Sequence, residues 1–183
     1  MKELSLNILD IVENSVKAKA TLTEIIIEET ETTLTININD DGCGMSDDTL
    51  RAVKNPFYTT RTTRNVGLGI PLLILSAEQT GGYVKLSSKQ ADENDLSHGT
   101  KVTAHYIKNH IDFTPLGDVI STVTTLIQGH PDTDFLFIHK KGNVEVRLDT
   151  RSVKEILDGV PIDTYDVIKW IEGNLMEQYN DFN

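Results

Sequence analysis

Hydrophobic residues in the first twenty positions recur at intervals of three and four. Neither Gly nor Pro interrupts this stretch, so the periodicity predicts an α-helix over 3–19. The positions that carry the pattern are Leu4, Ile8, Leu9, Ile11, Val12 and Val16. The stretches 22–30 and 32–39 instead alternate β-branched and polar residues, which predicts two adjacent strands joined by a tight turn.

The chain between residues 40 and 110 combines glycine-rich loops with shorter periodic stretches. Ser46 is a candidate N-cap for a short helix that ends near residue 54. A second helix is predicted from about Gly67 to the glycine pair at 81–82, and strands are predicted over 83–88 and 99–108. Residues 55–66 show no period and are rich in Thr and Arg.

Beyond residue 110 the pattern changes, and Pro115 and Gly117 mark a junction. A helix to about Gln128, a hairpin of strands over 134–140 and 143–149, and two closing helices are predicted. One apolar face of the closing helices carries Val167, Ile168, Ile171 and Leu175. We therefore predict a domain over 1–110 and a small C-terminal α/β extension over 111–183. The extension either extends and caps the sheet of the first domain, or offers a surface to a partner or a second copy.

The order of elements in the first domain is helix, strand, strand, helix, loop, helix, strand, strand. This order predicts an α+β fold, a two-layer α/β sandwich in which helices cover one face of a mixed sheet.

Composition narrows the class of protein further. Lys and Arg number 17 against 28 Asp and Glu, a net charge of −11, and no basic stripe appears, which argues against a nucleic-acid partner. No apolar run is long enough to span a membrane, and the N-terminus lacks the features of a secretory signal. The single cysteine, Cys43, cannot form an internal disulfide, so we expect a cytoplasmic protein.

Polar residues on the first helix are the first candidate site. Asp10, Asn14 and Lys17 lie at i, i+4 and i+7 and so share one face. An amide oxygen for a metal ion, a cation for phosphate and an acid for water suit a metal-phosphate site. The alternative is a charged face exposed to solvent.

A second candidate is the loop Asp40-Asp41-Gly42-Cys43-Gly44-Met45, which directly follows a strand. Two glycines allow the backbone to approach a flat ligand, and an aspartate at a strand end can accept a hydrogen bond from an amino group. The alternative is an acidic Asp-Gly turn on the surface.

A third candidate opens the second helix. Glycines in Gly67-Leu68-Gly69-Ile70 would expose backbone amides at a helix N-terminus, where an anion binds. The donors that precede them suit a loop that closes over phosphates. These donors include Thr59, Thr60, Arg61 and Arg64. An ordinary surface loop is the alternative.

Taken in order, these features resemble the N, G1, F, G2 and G3 boxes of the gyrase, chaperone, histidine-kinase and mismatch-repair (GHKL) ATPases. The F box corresponds to Pro-Phe-Tyr-Thr-Thr at 56–60 and the G3 box to Gly99-Thr100. The resemblance covers about 4–107 and implies the Bergerat ATP-binding fold, with ATP and Mg²⁺ as ligands.

The resemblance also implies roles for individual residues. Asn14 would be the Mg²⁺ ligand, Lys17 would contact phosphate, and Asp40 would accept the adenine amino group, with Thr100 beside it. The adenine wall, the loop over the phosphates and the phosphate-binding helix start would be formed by Gly42, Gly44, Met45, Phe57, Thr59, Thr60, Arg61, Arg64, Gly67, Leu68, Gly69 and Ile70.

The branch of the family stays open at this level. Glu13-Asn14-Ser15 resembles the mismatch-repair ATPases, whereas Lys17 resembles the histidine kinases. The hydrolytic branches carry glutamate where this chain has Asp10, and none of the five histidines lies in a phosphoacceptor-like helix.

We therefore expect a stand-alone, histidine-kinase-like regulatory module. It would phosphorylate a separate protein partner, or bind one in a nucleotide-dependent way, with Asp10 or Glu13 as the base. The alternatives are a slow ATPase that works as a nucleotide-switched dimer, with Asp10 positioning water, and a non-catalytic nucleotide sensor.

Overall fold

A computed structural model describes residues 3–54, 69–92, 97–180 and 182. The helices within them are α1 (Leu4–Lys17), α2 (Asp47–Lys54), α3 (Gly69–Gln79), α4 (Val119–Gly129), α5 (Thr150–Leu157) and α6 (Tyr165–Asn180). The strands are β1 (Leu22–Glu29), β2 (Thr33–Asp40), β3 (Tyr83–Lys89), β4 (Gly99–Ile107), β5 (Asp134–Lys141) and β6 (Val144–Asp149).

The strands form one mixed sheet in the order β3-β4-β2-β1-β5-β6. β1 and β5 pair in parallel, and the other neighbours pair antiparallel. Helices cover one face of this sheet, so the predicted α+β sandwich is confirmed.

Burial along the strands shows which face is covered. In β1, Ile25 and Ile27 are fully buried, while the alternating neighbours Glu24 and Ile26 are only partly buried. β2 alternates in the same way, because successive side chains of a strand point to opposite faces. The buried face packs against α1, α3 and α4.

The C-terminal segment is built into this sheet. β5 lies beside β1, and α4 packs between α1 and α6. The predicted junction contacts the start of the chain, where the amides of Leu4 and Ser5 donate to the carbonyl oxygens of Pro115 and Leu116 at 2.9 and 2.8 Å. These bonds satisfy helix N-terminal donors that have no partner within α1. Residues 111–183 thus extend and cap the sheet.

The predicted elements agree with the observed ones to within a few residues. Ser46 caps α2, since its Oγ accepts from the amide of Thr49 at 3.3 Å. The start of the second predicted helix, at Gly67, lies outside the described residues. In the part of the chain that the structure describes, no helix has the length and apolar character needed to cross a membrane.

Candidate functional site

A cavity of about 380 Å³ opens between α1, the end of β2 and the N-terminus of α3. The sheet and the helices α1, α2 and α3 contribute to its wall, which is mostly apolar with a few polar groups. The residues that line it are Ile11, Asn14, Ser15, Lys17, Ala18, Asp40, Gly44, Met45, Thr49, Val53, Ile70, Thr100 and Val102. Such a cleft with few convergent polar groups is typical of a small-molecule site.

Asp40 is the fixed carboxylate of this cavity. Its Oδ2 accepts from the Ser15 hydroxyl at 2.7 Å. Its Oδ1 accepts from the backbone amides of Gly42 at 3.0 Å and Thr100 at 3.1 Å. Thr100 is also the register partner of Asp40 between β2 and β4. Three donors therefore hold the carboxylate in one orientation at the strand end.

Two glycines allow neighbouring backbone segments to pack closely against each other around Asp40. Gly44 has φ +67°, and a Cβ there would lie 1.9 Å from the carbonyl oxygen of Lys89. Gly99 has φ +127°, and a Cβ there would lie 1.9 Å from the carbonyl oxygen of Asp40. Any other residue would clash with backbone, so both positions require glycine.

Ser88 joins the glycine-rich loop to β4. Its Oγ accepts from the amide of Met45 at 2.8 Å and donates to the carbonyl oxygen of Gly99 at 3.0 Å. The hydroxyl of Thr100 lies 2.9 Å from the same Oγ. This network places Met45 and Thr100 on the same side of the cavity.

Asp41, next to the site, anchors the loop to β1. Its carboxylate accepts from the hydroxyl of Thr21, and from the amides of Thr21 at 2.7 Å and Leu22 at 2.9 Å. Burial alone would raise the pKa of Asp41, but these hydrogen bonds outweigh it and hold the pKa below its ordinary value of 3.8.

The two acids predicted as bases, Asp10 and Glu13, lie on different flanks of α1. Asp10 lies beside the start of α3, since a Cβ on Gly69 would be 3.0 Å from the Cβ of Asp10. Glu13 faces the other way, and its Oε1 lies 2.8 Å from Nε2 of His130, just after α4. Only Asp10 is therefore on the flank that borders the cavity.

Asn14 has the chemistry of a magnesium ligand. Its side chain is half-buried at the cavity, and it makes no hydrogen bond within the described ranges. Mg²⁺ favours oxygen ligands and is commonly held by one or two protein groups plus waters and substrate phosphates. The described residues contain no cluster of three His, Cys, Asp or Glu side chains that could hold a metal ion. The amide oxygen of Asn14 at the cavity fits an ion whose other ligands are waters and phosphate oxygens.

The structure brings together most of the predicted site residues that it describes. Asn14, Lys17, Asp40, Gly44, Met45, Ile70 and Thr100 all line the cavity, and Gly42 and Gly69 adjoin it. The remaining predicted residues other than the two acids lie outside the described residues, and they are Phe57, Thr59, Thr60, Arg61, Arg64, Gly67 and Leu68.

Ser15, Thr49 and Ser88 are polar residues at or beside the cavity that the sequence analysis did not assign to the site. Ser15 follows Asn14 directly and sits four residues after buried Ile11, a spacing that places it on the sheet-facing side of α1. That signal was available in the sequence. The sequence held no such signal for Ser88, because its contacts with Gly99 and Thr100 depend on the pairing of β3 with β4.

The histidines have structural contacts in the part of the chain described. His98 Nδ1 lies 2.7 Å from the carbonyl oxygen of Gly42, and His105 Nδ1 lies 2.9 Å from the hydroxyl of Thr35. His139 is buried on β5.

A mixed sheet covered by helices on one face, with a mostly apolar cavity at the end of β2, is compatible with nucleotide binding. A comparison with protein families points to the same class of protein. The family described as histidine kinase-, DNA gyrase B- and HSP90-like ATPase matches residues 2–125. The match covers more than half of the chain, which therefore belongs to this GHKL family of ATP-binding modules.

The similarity to an individual curated protein is low and covers less than half of the chain. Sporulation kinase C of Bacillus subtilis (strain 168) is 28% identical over 83 residues, which are 44% of this chain and 19% of that kinase. The chain thus spans about a fifth of the length of this curated relative.

Among solved structures, the Aquifex aeolicus MutL ATPase domain complexed with ADP is similar, with a TM-score of 0.55 and 16% identity over 86% of this chain and 70% of that one. The N-terminal domain of a DNA repair protein gives a TM-score of 0.52 and 15% identity, over 81% of this chain and 53% of that one. At these identities the likeness shows the fold.

Proposed function

We propose that the cavity binds Mg-ATP and that the chain is a histidine-kinase-like regulatory module. It phosphorylates a separate protein partner, or binds that partner in a nucleotide-dependent way, in the cytoplasm. The single observation that carries the nucleotide assignment is the Asp40 carboxylate, which three donors hold at the edge of a mostly apolar cleft.

The geometry of Asp40 suits an adenine ring. A carboxylate has about four lone-pair sites, and three are used by Ser15, Gly42 and Thr100. The remaining one can accept an amino hydrogen of adenine. The apolar wall around Met45 and Val102 suits the faces of the ring.

The phosphates would lie toward α1 and the N-terminus of α3. Lys17 and Asn14 line this side, and the amides at the start of a helix favour an anion. Bound Mg²⁺ would supply charge neutralisation for the phosphates, with Asn14 as its protein ligand. Two similar proteins support a nucleotide here: one is named a kinase, and the other is an ATPase domain complexed with ADP.

Calorimetric titration with a non-hydrolysable ATP analogue, with and without Mg²⁺, tests this proposal. We expect magnesium-dependent binding that Asp40→Asn weakens by roughly ten- to a hundredfold, the value of a hydrogen bond to a charged group. Asp132→Asn, an exposed aspartate in the turn before β5, is the matched control. Unchanged affinity in Asp40→Asn would remove the adenine assignment, and absence of binding up to millimolar analogue would remove the nucleotide site itself.

Kinase action requires a second measurement, incubation with labelled ATP and candidate partner proteins. Transfer of label to a partner supports phosphorylation. Partner binding that needs ATP but leaves no label supports the nucleotide-dependent binder.

The position of Asp10 favours a second candidate, a slow ATPase that works as a nucleotide-switched dimer. Asp10 lies beside Gly69 at the start of α3, where a carboxylate can position water near a terminal phosphate. Asp10→Asn is then expected to abolish phosphate release while analogue affinity stays nearly intact. Loss of both would make Asp10 a structural residue instead.

A further inference from the structure

Asn7 on α1 carries a polar group that the fold buries and leaves unpaired. Its side chain is 1% exposed, and neither Nδ2 nor Oδ1 has a hydrogen-bond partner among the described residues. Most buried polar groups in proteins are paired, because an unpaired one costs free energy. Leucine would fill a similar volume without that cost. Stability therefore does not explain an asparagine at this position.

The unpaired amide lies on the flank of α1 that carries the site. Asn7, Asp10 and Asn14 are spaced i, i+3 and i+7, and so share one side of the helix. Asp10 on that side adjoins Gly69 at the start of α3, and Asn14 lines the cavity. The opposite flank, where Glu13 contacts His130, faces α4.

Asn7 and Asp10 are chemically complementary. The carboxylate of Asp10 is exposed and makes no hydrogen bond within the ranges that the structure describes, while the Asn7 carboxamide has two unused N–H donors. Side chains of a helix lean toward its N-terminus, so Asp10 leans toward the turn that holds Asn7.

We propose that Asn7 is a positioning residue for the terminal-phosphate end of the site. In the nucleotide-bound state its Nδ2 donates to the carboxylate of Asp10, directly or through one water. The acid and its water are thereby held against the terminal phosphate. Aspartate is one methylene shorter than glutamate, so a carboxylate at this position reaches less far and needs a second group to fix its water. The inference rests on the proposed nucleotide site and on the role proposed there for Asp10.

The test compares Asn7→Leu with Thr23→Val. Thr23 on β1 is also buried with an unpaired polar atom, its Oγ1, but it does not line the cavity. Turnover of Mg-ATP is measured as phosphate release or as transfer of label to a partner protein. Affinity for a non-hydrolysable Mg-ATP analogue is measured by calorimetry, and unfolding by urea is measured without nucleotide. Where leucine does not fit, Asn7→Ala replaces it, since alanine is well tolerated in helices.

We expect both substitutions to leave the protein as stable as the wild type or more stable. Asn7→Leu alone slows turnover by about tenfold, the value of one lost hydrogen bond, and leaves analogue affinity nearly intact, as expected for Asp10→Asn. Unchanged turnover in Asn7→Leu overturns the proposal, and so does an equal loss of turnover and of analogue affinity. A wild type that binds the analogue but shows no turnover also overturns it. If the wild type does not bind the analogue, the proposed function itself fails.

Discussion

The carboxylates of Asp40 and Asp41 lie next to each other at the end of β2 and accept hydrogen bonds from different parts of the chain. Asp40 takes donors from α1, the following loop and β4, and keeps an acceptor site toward the cavity. Asp41 takes its donors from Thr21 and Leu22, at the start of β1. Asp40 therefore forms part of the candidate site, whereas Asp41 anchors the loop to the start of β1.

Asp41→Asn is expected to lower stability in a pH-dependent way. The pKa of Asp41 in the folded protein lies below the ordinary 3.8, so the ionised form stabilises the fold at neutral pH. That contribution is complete above about pH 3.8 and is lost as the pH falls through the lower folded value. We expect a deficit of about 1 kcal/mol at pH 7, modest because the group is partly exposed to solvent.

Urea unfolding at pH 7 and near pH 3 measures this deficit, with Asp132→Asn as the exposed control. The deficit should shrink at the acidic pH. A deficit of equal size at both values would show that shape rather than charge matters at Asp41.

Individual site residues were predictable where a local motif carried them. Asp40, Gly44 and Thr100 were identified from the glycine-rich loop and the Gly-Thr pair, and all three meet at the cavity. The bond between Ser15 and Asp40 joins residues 25 positions apart, and sequence spacing holds no information on such a contact.

At the scale of elements, α1 is the most informative segment. Its sheet-facing side carries Ile8 and Ile11, one flank carries Asn7, Asp10 and Asn14, and the other carries Glu13. Helical spacing predicted that Asp10, Asn14 and Lys17 share one face, and Asn14 and Lys17 line the cavity. It could not show that the second flank meets His130, because that contact depends on how α4 packs against α1.

Glycines provide a matched test of element geometry. Gly44→Ala would place Cβ against the backbone of Lys89 at a left-handed φ, so we expect a loss on the order of 2 kcal/mol or more and weaker binding of the ATP analogue. Gly173 lies within α6, exposed and with open space around it. Gly173→Ala should raise stability by about 0.5–1 kcal/mol, because alanine favours the helix.

Urea unfolding of both variants checks the pair of predictions. A neutral Gly44→Ala would mean that the loop can move away from the end of β3. A destabilising Gly173→Ala would mean that this face of α6 is covered in solution.

At the scale of the whole molecule, the C-terminal segment closes over the sheet far from the cavity. His139 on β5 is 2% exposed, its Nδ1 lies 2.8 Å from the hydroxyl of Tyr179, and its ring packs against Phe182. Burial lowers the pKa of His139 to about 4, although Glu29, whose Oε2 lies 3.3 Å from Nε2, opposes this. The positive charges of Lys141 and Lys108 add to the lowering.

This histidine should make the stability of the whole chain fall on mild acidification. The unfolded chain takes up a proton near pH 6.5 and the folded chain only near pH 4, so the free energy of unfolding decreases between these values. The part due to His139 is roughly 3 kcal/mol, from 1.36 kcal/mol per pKa unit. The contribution of Glu29, whose pKa lies below 4.5, is lost only at more acidic pH.

His139→Gln tests the assignment by urea unfolding across pH 4 to 7. The variant should lose most of the pH dependence in that range, whereas His110→Gln, an exposed histidine after β4, should retain it. If the free energy of unfolding of His139→Gln kept the wild-type dependence on pH, a group other than His139 would be responsible for it.

The sequence by itself determined the elements, the two-layer fold class and the identity of most cavity residues. Periodicity, caps and glycine motifs are local properties, so a linear reading can recover them. Only the tertiary structure decided that residues 134–149 join the same sheet beside β1 and that Glu13 faces away from the cavity. It also decided that the amide of Asn7 is buried with no hydrogen-bond partner among the described residues. Each of these depends on contacts between distant segments, which packing of the whole core selects and no local pattern encodes.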